Sequence, residues 1–344
     1  MVNIQSNFVF STGINKYKQV FQLLKPAINE RMIKVLQMRT LKGVGRPITT
    51  DFNKFLDAVY YMLDSGAQVS YMVEKYHISK GTYYRYLHVL EKNHIIEDLY
   101  SEVIDNYQLK NHETEQQLIQ NMRQIYTETN GQISVHNEEQ LLVQNIESIS
   151  ADVQSDEPTN LIIDQLSELT PDKYWITDGS IVKSMNGSQS TGRNPTDRGR
   201  KGIKFLLICD GNRITKKIVL GPANISDSTM LSTLIERLPP QKKMIKCLAD
   251  AGFVGRDLKR LCLEKNVDLI ARPKKKRNGE MTHTLSTDDK LLLKSKRNRI
   301  ELLNGQIKRF RSLMIKWTKT IATYQTYLLI AILCITCHQI MIRS

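Results

Sequence analysis

The stretches KYWITDGSIVKSM (173–185) and IKFLLICDGNRITKKIVLG (203–221) decide the fold. The first is rich in β-branched and aromatic residues and reads as a strand. The second consists of two apolar runs around Asp210-Gly211-Asn212, a hairpin-turn signal, and predicts two antiparallel strands. Further along, Asp227 to Leu238 repeats at helical spacing, MIKCLAD (244–250) is a buried strand, and Arg256 to Asn266 is a helix. VDLIARP (267–273) is another strand, and a long basic helix begins at Thr287. Three strands followed by alternating helix and strand predict an α/β domain, a mixed sheet flanked by helices.

Upstream, GRPITTDFNKFLDAVYYMLDSGAQVSYMVEKYHISKGTYYRYLHVLEKN (45–93) holds three helical segments. Phe52 to Leu63 ends at Ser65-Gly66, Val69 to Tyr76 is short, and Ser79 caps a third segment running to about Asn93. This is a helix-turn-helix pattern whose last helix would present Lys80, Thr82, Tyr83, Arg85 and Tyr86 to DNA. An ordinary three-helix bundle with core aromatics fits the same spacing. Residues 107–170 are polar and acidic, with thin apolar periodicity at Leu118–Ile125 and Leu141–Ile149, and read as a connector or insertion. The expected organisation is a helical DNA-binding domain at 1–106, the acidic connector at 107–170, and an α/β catalytic domain at 171–344.

Charge follows those divisions. Residues 1–106 carry 13 basic and 10 acidic groups (+3), 107–170 carry 2 and 11 (−9), and 171–344 carry 34 and 14 (+20), which together give +14. So basic a C-terminal half is the footprint of a polyanion binder, nucleic acid ahead of an anionic membrane surface. The five cysteines (Cys209, Cys247, Cys262, Cys334, Cys337) are odd in number and lie in apolar runs, which suits a reducing compartment. No secretory signal is visible at the start. The run YLLIAILCITCHQIMI (327–342) is interrupted by Thr336, His338 and Gln339, short of the roughly 20 apolar residues of a span, and reads as a buried helix. CITCH within it has the spacing of covalent haem attachment, but buried free cysteines are the expectation.

Three acids occupy telling places in the α/β half. Asp178 is on the first strand, Asp250 ends the fourth, and Glu301 is the one acid in KSKRNRIELLNGQIKRF (294–310), among six lysines and arginines. An ionised aspartate on an apolar strand is costly to bury unless it meets a cation. Phosphodiester chemistry uses hard cations gathered by such oxygen ligands, two Mg²⁺ about 3.5 to 4 Å apart. Separate duties, a turn, a loop start and an ion pair, would explain the same three residues. Arg297, Glu301, Asn304 and Lys308 stand at i, i+4, i+7 and i+11, along one helix face.

With TDGSIVKS, GRKGIKFLLICDGN, LGPANISDSTML, LADAGF, RNRIELLNGQIKRFR and TKTIATYQTYLLIAIL, the segment from about Lys173 to Met341 resembles the DDE transposases of bacterial insertion sequences, in the group named after insertion sequences four and five. These enzymes have a Tyr-x2-Arg-x3-Glu-x6-Lys signature, which Arg297, Glu301 and Lys308 match. Lys294 stands at the tyrosine position, and Phe253 replaces the tyrosine after the second acid. The resemblance implies a ribonuclease-H-like core with Asp178, Asp250 and Glu301 as catalytic metal ligands for Mg²⁺, with Mn²⁺ as a substitute. Arg297, Lys308 and Lys294 would hold phosphate. It places RGRKGIK, with Arg198, Arg200, Lys201 and Lys204, and PKKKR, with Lys274 and Lys275, against the DNA backbone, as Lys80 and Arg85 would be in the helical domain. PKKKR also has the look of a nuclear-localisation signal.

The function implied is binding of element ends, metal-dependent strand cleavage and strand transfer on double-stranded DNA, with a homodimer in the active complex. The compartment would be the cytoplasm, at the nucleoid, in a bacterium, or the nucleus in a eukaryote or its virus. Two alternatives stay open: a catalytically silent DNA-binding descendant, and a nuclease that cleaves without joining.

Overall fold

The computed structural model describes residues 16–41, 51–108, 174–184, 189–195, 197–275, 277–316 and 318–343. By contacts the chain divides into two units, Met1–Val103 with Tyr174–Ser344, and Ile104–Lys173. Of the second unit only 104–108 is described, as part of a helix, and the segments expected at Leu118–Ile125 and Leu141–Ile149 lie outside the described residues.

In the first unit the helices are α1 (Lys16–Leu41), α2 (Phe52–Ser65), α3 (Val69–Tyr76), α4 (Lys80–Lys92) and α5, which covers 95–108 and so runs into the second unit. The ends of α2 and α4 follow from local chemistry. Asp51 accepts a hydrogen bond from the Asn53 amide, Gly66 closes α2 in the left-handed region (φ 69°), and the Ser79 hydroxyl caps α4 through the Thr82 amide. Those boundaries are the ones the sequence predicts.

Among the described residues seven strands follow: β1 (Tyr174–Ser184), β2 (Gly192–Arg193), β3 (Lys201–Asp210), β4 (Thr215–Pro222), β5 (Ile245–Ala249), β6 (Val267–Ala271) and β7 (Ile315–Lys316). Strand β1 is antiparallel to β3, with Trp175 opposite Asp210 and Lys183 opposite Gly202, and β3 is antiparallel to β4. On its other side β1 is parallel to β5, and β5 is parallel to β6. Across the sheet the long strands therefore run β4-β3-β1-β5-β6, three antiparallel and then two parallel to β1. That order, with helices on both faces, makes the fold ribonuclease-H-like, as expected.

The remaining helices are α6 (Asp227–Glu236), α7 (Arg256–Glu264), α8 (Thr287–Lys296), α9 (Asn298–Ile307), α10 (Arg311–Met314) and α11 (Ile321–Met341). The single long basic helix predicted from Thr287 is instead two, α8 and α9, meeting at Arg297. Strand β3 is apolar along nearly its whole length because both its faces are covered. Leu206 and Ile208 face α6 and α7, while Phe205, Leu207 and Cys209 belong to a larger core with α1–α5 and α9–α11. Helix α11, the one described helix long and apolar enough to cross a membrane, is mostly buried in that larger core, with Cys334 and Cys337 inside it as free thiols.

The N-terminal helices join the same core. Tyr83 of α4 and Tyr327 of α11 share a buried hydroxyl–hydroxyl hydrogen bond of 2.7 Å, and both reach the Met62 sulfur, at 3.3 and 3.2 Å. Ser312 donates to the Met62 carbonyl. Tyr83 and Tyr86, expected on the DNA-facing side of α4, are buried here instead, because α4 needs an apolar face against α2 and α11.

Candidate active site

Residues of one strand parity face one side of a sheet. Ile176 and Val182 of β1 and Leu248 of β5 lie in the larger core, so Asp178, and Asp250 one residue past β5, point toward the same side, the side carrying α9. From α9, Asn304 donates its Nδ2 to Asp178 Oδ2 at 3.1 Å. One turn nearer the helix start, Arg297 donates to Glu301 Oε1 at 2.9 Å, and its second nitrogen lies 3.8 Å from Asp250 Oδ2. The four residues on the predicted helix face thus come together with both aspartates, except Lys308, which is exposed at the C-cap of α9.

Arg297 is the centre of this arrangement. An i,i+4 pair on an exposed helix is worth about 0.3 to 0.5 kcal/mol, too little to hold an arginine side chain that is only 12% exposed. Its charge also reaches Asp178. Burial pushes Asp178 up to about 6, against the pull of Arg297 and of the Gly179 amide, and the nearby Asp227 and Asp250 add to the rise. Such a carboxylate is poised to take a cation.

Among the described residues no group of three or more His, Cys, Asp or Glu is gathered as a metal site; the cation among these carboxylates is Arg297. The donor chemistry fits a hard divalent cation all the same. The groups on offer are oxygens, and the Asn304 side-chain oxygen, beside Asp178, is buried without a partner.

Sequence reasoning missed Asp227, the first residue of α6, which lies behind β1. Its Oδ1 is 2.7 Å from Lys204 Nζ, which also donates to the Ile225 carbonyl. A Cβ placed on Gly179 would stand 3.0 Å from Asp227 Oδ1, and one on Gly252 would stand 3.3 Å from its Oδ2. The glycines that follow Asp178 and Asp250 therefore make room for one carboxylate shared between the two motifs. Strand parity is the signal that could have found Lys204, though not its partner: Lys204 shares the parity of Leu206 and Ile208 and must point inward.

Lys204 is accordingly a correction. Expected against the DNA backbone, it is buried and ion-paired. The other basic candidates, Lys80, Arg85, Arg198, Arg200, Lys201, Lys274, Lys275 and Lys294, are exposed, and so is Tyr84, an aromatic on α4 that the sequence reading passed over.

Residues 171–337 match the family described as Transposase DDE domain. Over 102 residues the chain is 28% identical to a Burkholderia cepacia protein named as a transposase for insertion sequence element IS402, an alignment covering 27% of this chain and 48% of that relative. The chain thus spans about half the length of that relative. A cryo-EM structure of the piggyBac transposase synaptic complex with hairpin DNA aligns at TM-score 0.36 and 14% identity, over 54% of this chain and 51% of that one; so distant a likeness adds nothing to the strand order above. Over 171–337, a little under half of its length, the chain is thus similar to the transposase DDE domain family, and the relative it resembles in part is named for an insertion sequence.

Proposed function

We propose that the chain is a DNA transposase that binds element ends and catalyses metal-dependent strand cleavage and strand transfer. The observation that carries this is the convergence on Arg297 of acids from a strand end and a helix, with Asp178 tied to the same helix through Asn304. Asp178, Asp250 and Glu301 would hold Mg²⁺ or Mn²⁺, which when bound neutralises phosphate charge and lowers the pKa of water. The side chains do the rest. Asn304 fixes the rotamer of Asp178, and the Asp227–Lys204 pair supports β1 from behind. Arg297 keeps the carboxylates from repelling one another and, with exposed Lys308 and Lys294, offers donors to the phosphates on either side of the scissile bond. Exposed Lys80, Tyr84 and Arg85 of α4 suit contact with a DNA groove or backbone.

Handling two element ends calls for at least two copies of the chain, and the DNA substrate implies the bacterial cytoplasm or a eukaryotic nucleus. The test is Glu301→Gln on end-containing duplex DNA with Mg²⁺: cleavage should fall at least a thousandfold while DNA affinity changes less than about threefold. A Glu301→Gln protein that still cuts would return Glu301 to an ion-pairing role. Joined products from the wild type distinguish a transposase from a nuclease.

A further inference from the structure

The β3–β4 hairpin turn lies away from the carboxylates. Trp175, opposite Asp210, precedes Asp178 by three residues, about 10 Å along β1. Three arginines from separate elements converge on this turn. Arg299 of α9 donates to the Gly211 carbonyl at 2.6 Å, Arg343 beyond α11 donates to the Asn212 side-chain oxygen, and Arg213 donates to Gln339 at 3.0 Å. All three acceptors are neutral. None of the three arginines has a carboxylate partner among the described residues.

The buried carboxylate in this turn, Asp210, pairs with Lys216 and accepts from the Asn212 and Ile214 amides rather than meeting these arginines. Like charges gathered without carboxylate partners are costly, and the position of Arg213 adds to the cost, since its φ of 66° is one that glycine or asparagine takes more readily. Arg213 is half-buried within reach of the charges of Arg343 and Arg299; Lys16, at the start of α1, lies within reach of Arg213 and Arg309. Burial and these neighbours depress both Arg213 and Lys16. Arg309 is exposed and directly follows Lys308. Lys16 Nζ lies 5.1 Å from the centroid of the Tyr17 ring, and that ring packs at 5.5 Å on Phe310, the residue after Arg309. The cations therefore form a series from the end of the active-site helix to the hairpin turn.

We infer that Lys16, Arg213, Arg299, Arg309 and Arg343 form a second phosphate-binding track, on which the duplex continues beyond the catalytic carboxylates. A series of cations matches the repeating phosphates of a DNA backbone better than one free anion. The inference rests on the proposed function and adds a place for DNA that the motif residues do not supply.

The test is the salt dependence of duplex binding by the full chain. In Arg213→Gln/Arg299→Gln/Arg343→Gln, the slope of log affinity against log salt should become shallower by about 0.9 for each phosphate no longer neutralised, or about 2 to 3 in all. The matching lysine variants should recover most of it. Lys242→Gln/Lys243→Gln, on an exposed turn elsewhere, should leave the slope in place. Should the triple variant fail to fold, Arg343→Gln alone should remove about 0.9.

An unchanged slope in a folded variant overturns the inference, as does an equal loss in the Lys242/Lys243 control. Calorimetric binding of inorganic phosphate that the triple variant loses, with the DNA slope unaltered, would make this a free-anion site and overturn the DNA assignment. A wild type that binds no DNA at any salt sinks the proposed function too, whereas one that binds and cuts while the triple variant keeps its slope sinks this inference alone.

Discussion

At the scale of single residues, Asp178 shows what the site costs the fold. An unfolded aspartate titrates near 3.9, and burial raises the folded group to about 6. Between those values the native state holds the extra proton, so this contribution to stability falls as pH rises through the window and is fully lost above it. In metal-free protein, Asp178→Asn should therefore raise the unfolding free energy at pH 7.5 by up to about 2 to 3 kcal/mol, seen as a higher melting temperature, and the gain should vanish near pH 4. Calorimetry across pH would refute this if the difference were pH-independent. Gly179 tests the opposite face of the strand. A methyl there meets Asp227 Oδ1 at 3.0 Å, so Gly179→Ala should cost about 1 to 3 kcal/mol, and less in a Lys204→Met/Asp227→Ala background. Equal costs in both backgrounds, by urea denaturation, would mean the two sites are uncoupled. Much of the carboxylate set was legible because Asp178 and Asp250 interrupt or end apolar strands and Glu301 interrupts a basic run. Asp227 was not, because its place depends on space left by glycines distant in sequence.

At the scale of elements, the three helices between Phe52 and Lys92 were readable almost to the residue, since the ends of α2 and α4 are set by short-range caps. Gly66 ends α2 with φ 69°, and a Cβ there would lie 3.2 Å from that of Arg311. Gly66→Ala should accordingly destabilise by about 1 to 2 kcal/mol, measured by chemical denaturation, whereas an effect below about 0.3 kcal/mol would show that the cap relaxes freely. Helix α1 went unread although Tyr17, Val20, Phe21, Leu24, Ile28 and Met32 make a helical stripe; Pro26 lies inside it. The break between α8 and α9 is not local either. KSKRNRI contains no glycine or proline, and the break falls at the arginine that reaches both Asp250, just past β5, and Glu301 of α9.

At the scale of the whole molecule, the described helices of 16–103 and the sheet share one core, sealed at Tyr83–Tyr327 and Met62–Ser312. A fragment of 171–344 would expose the face of α11 that holds Tyr324, Tyr327 and Leu328 and should aggregate on expression, while the full chain should lose far-ultraviolet and near-ultraviolet circular dichroism of this core in one transition. A soluble, folded fragment would show that the helices only decorate the sheet. The sequence by itself determined the order of the five long strands and of the helices between them, the caps of α2 and α4, and which acids and basic residues carry the family signature, because those depend on periodicity and spacing along the chain. Only the tertiary structure decided that Arg297 sits among the carboxylates, that Lys204 turns inward to Asp227, and that three arginines meet at one hairpin turn. Each of these joins residues tens to more than a hundred positions apart, and what brings them together is the stacking of strands and helices on a common core, which no local pattern records.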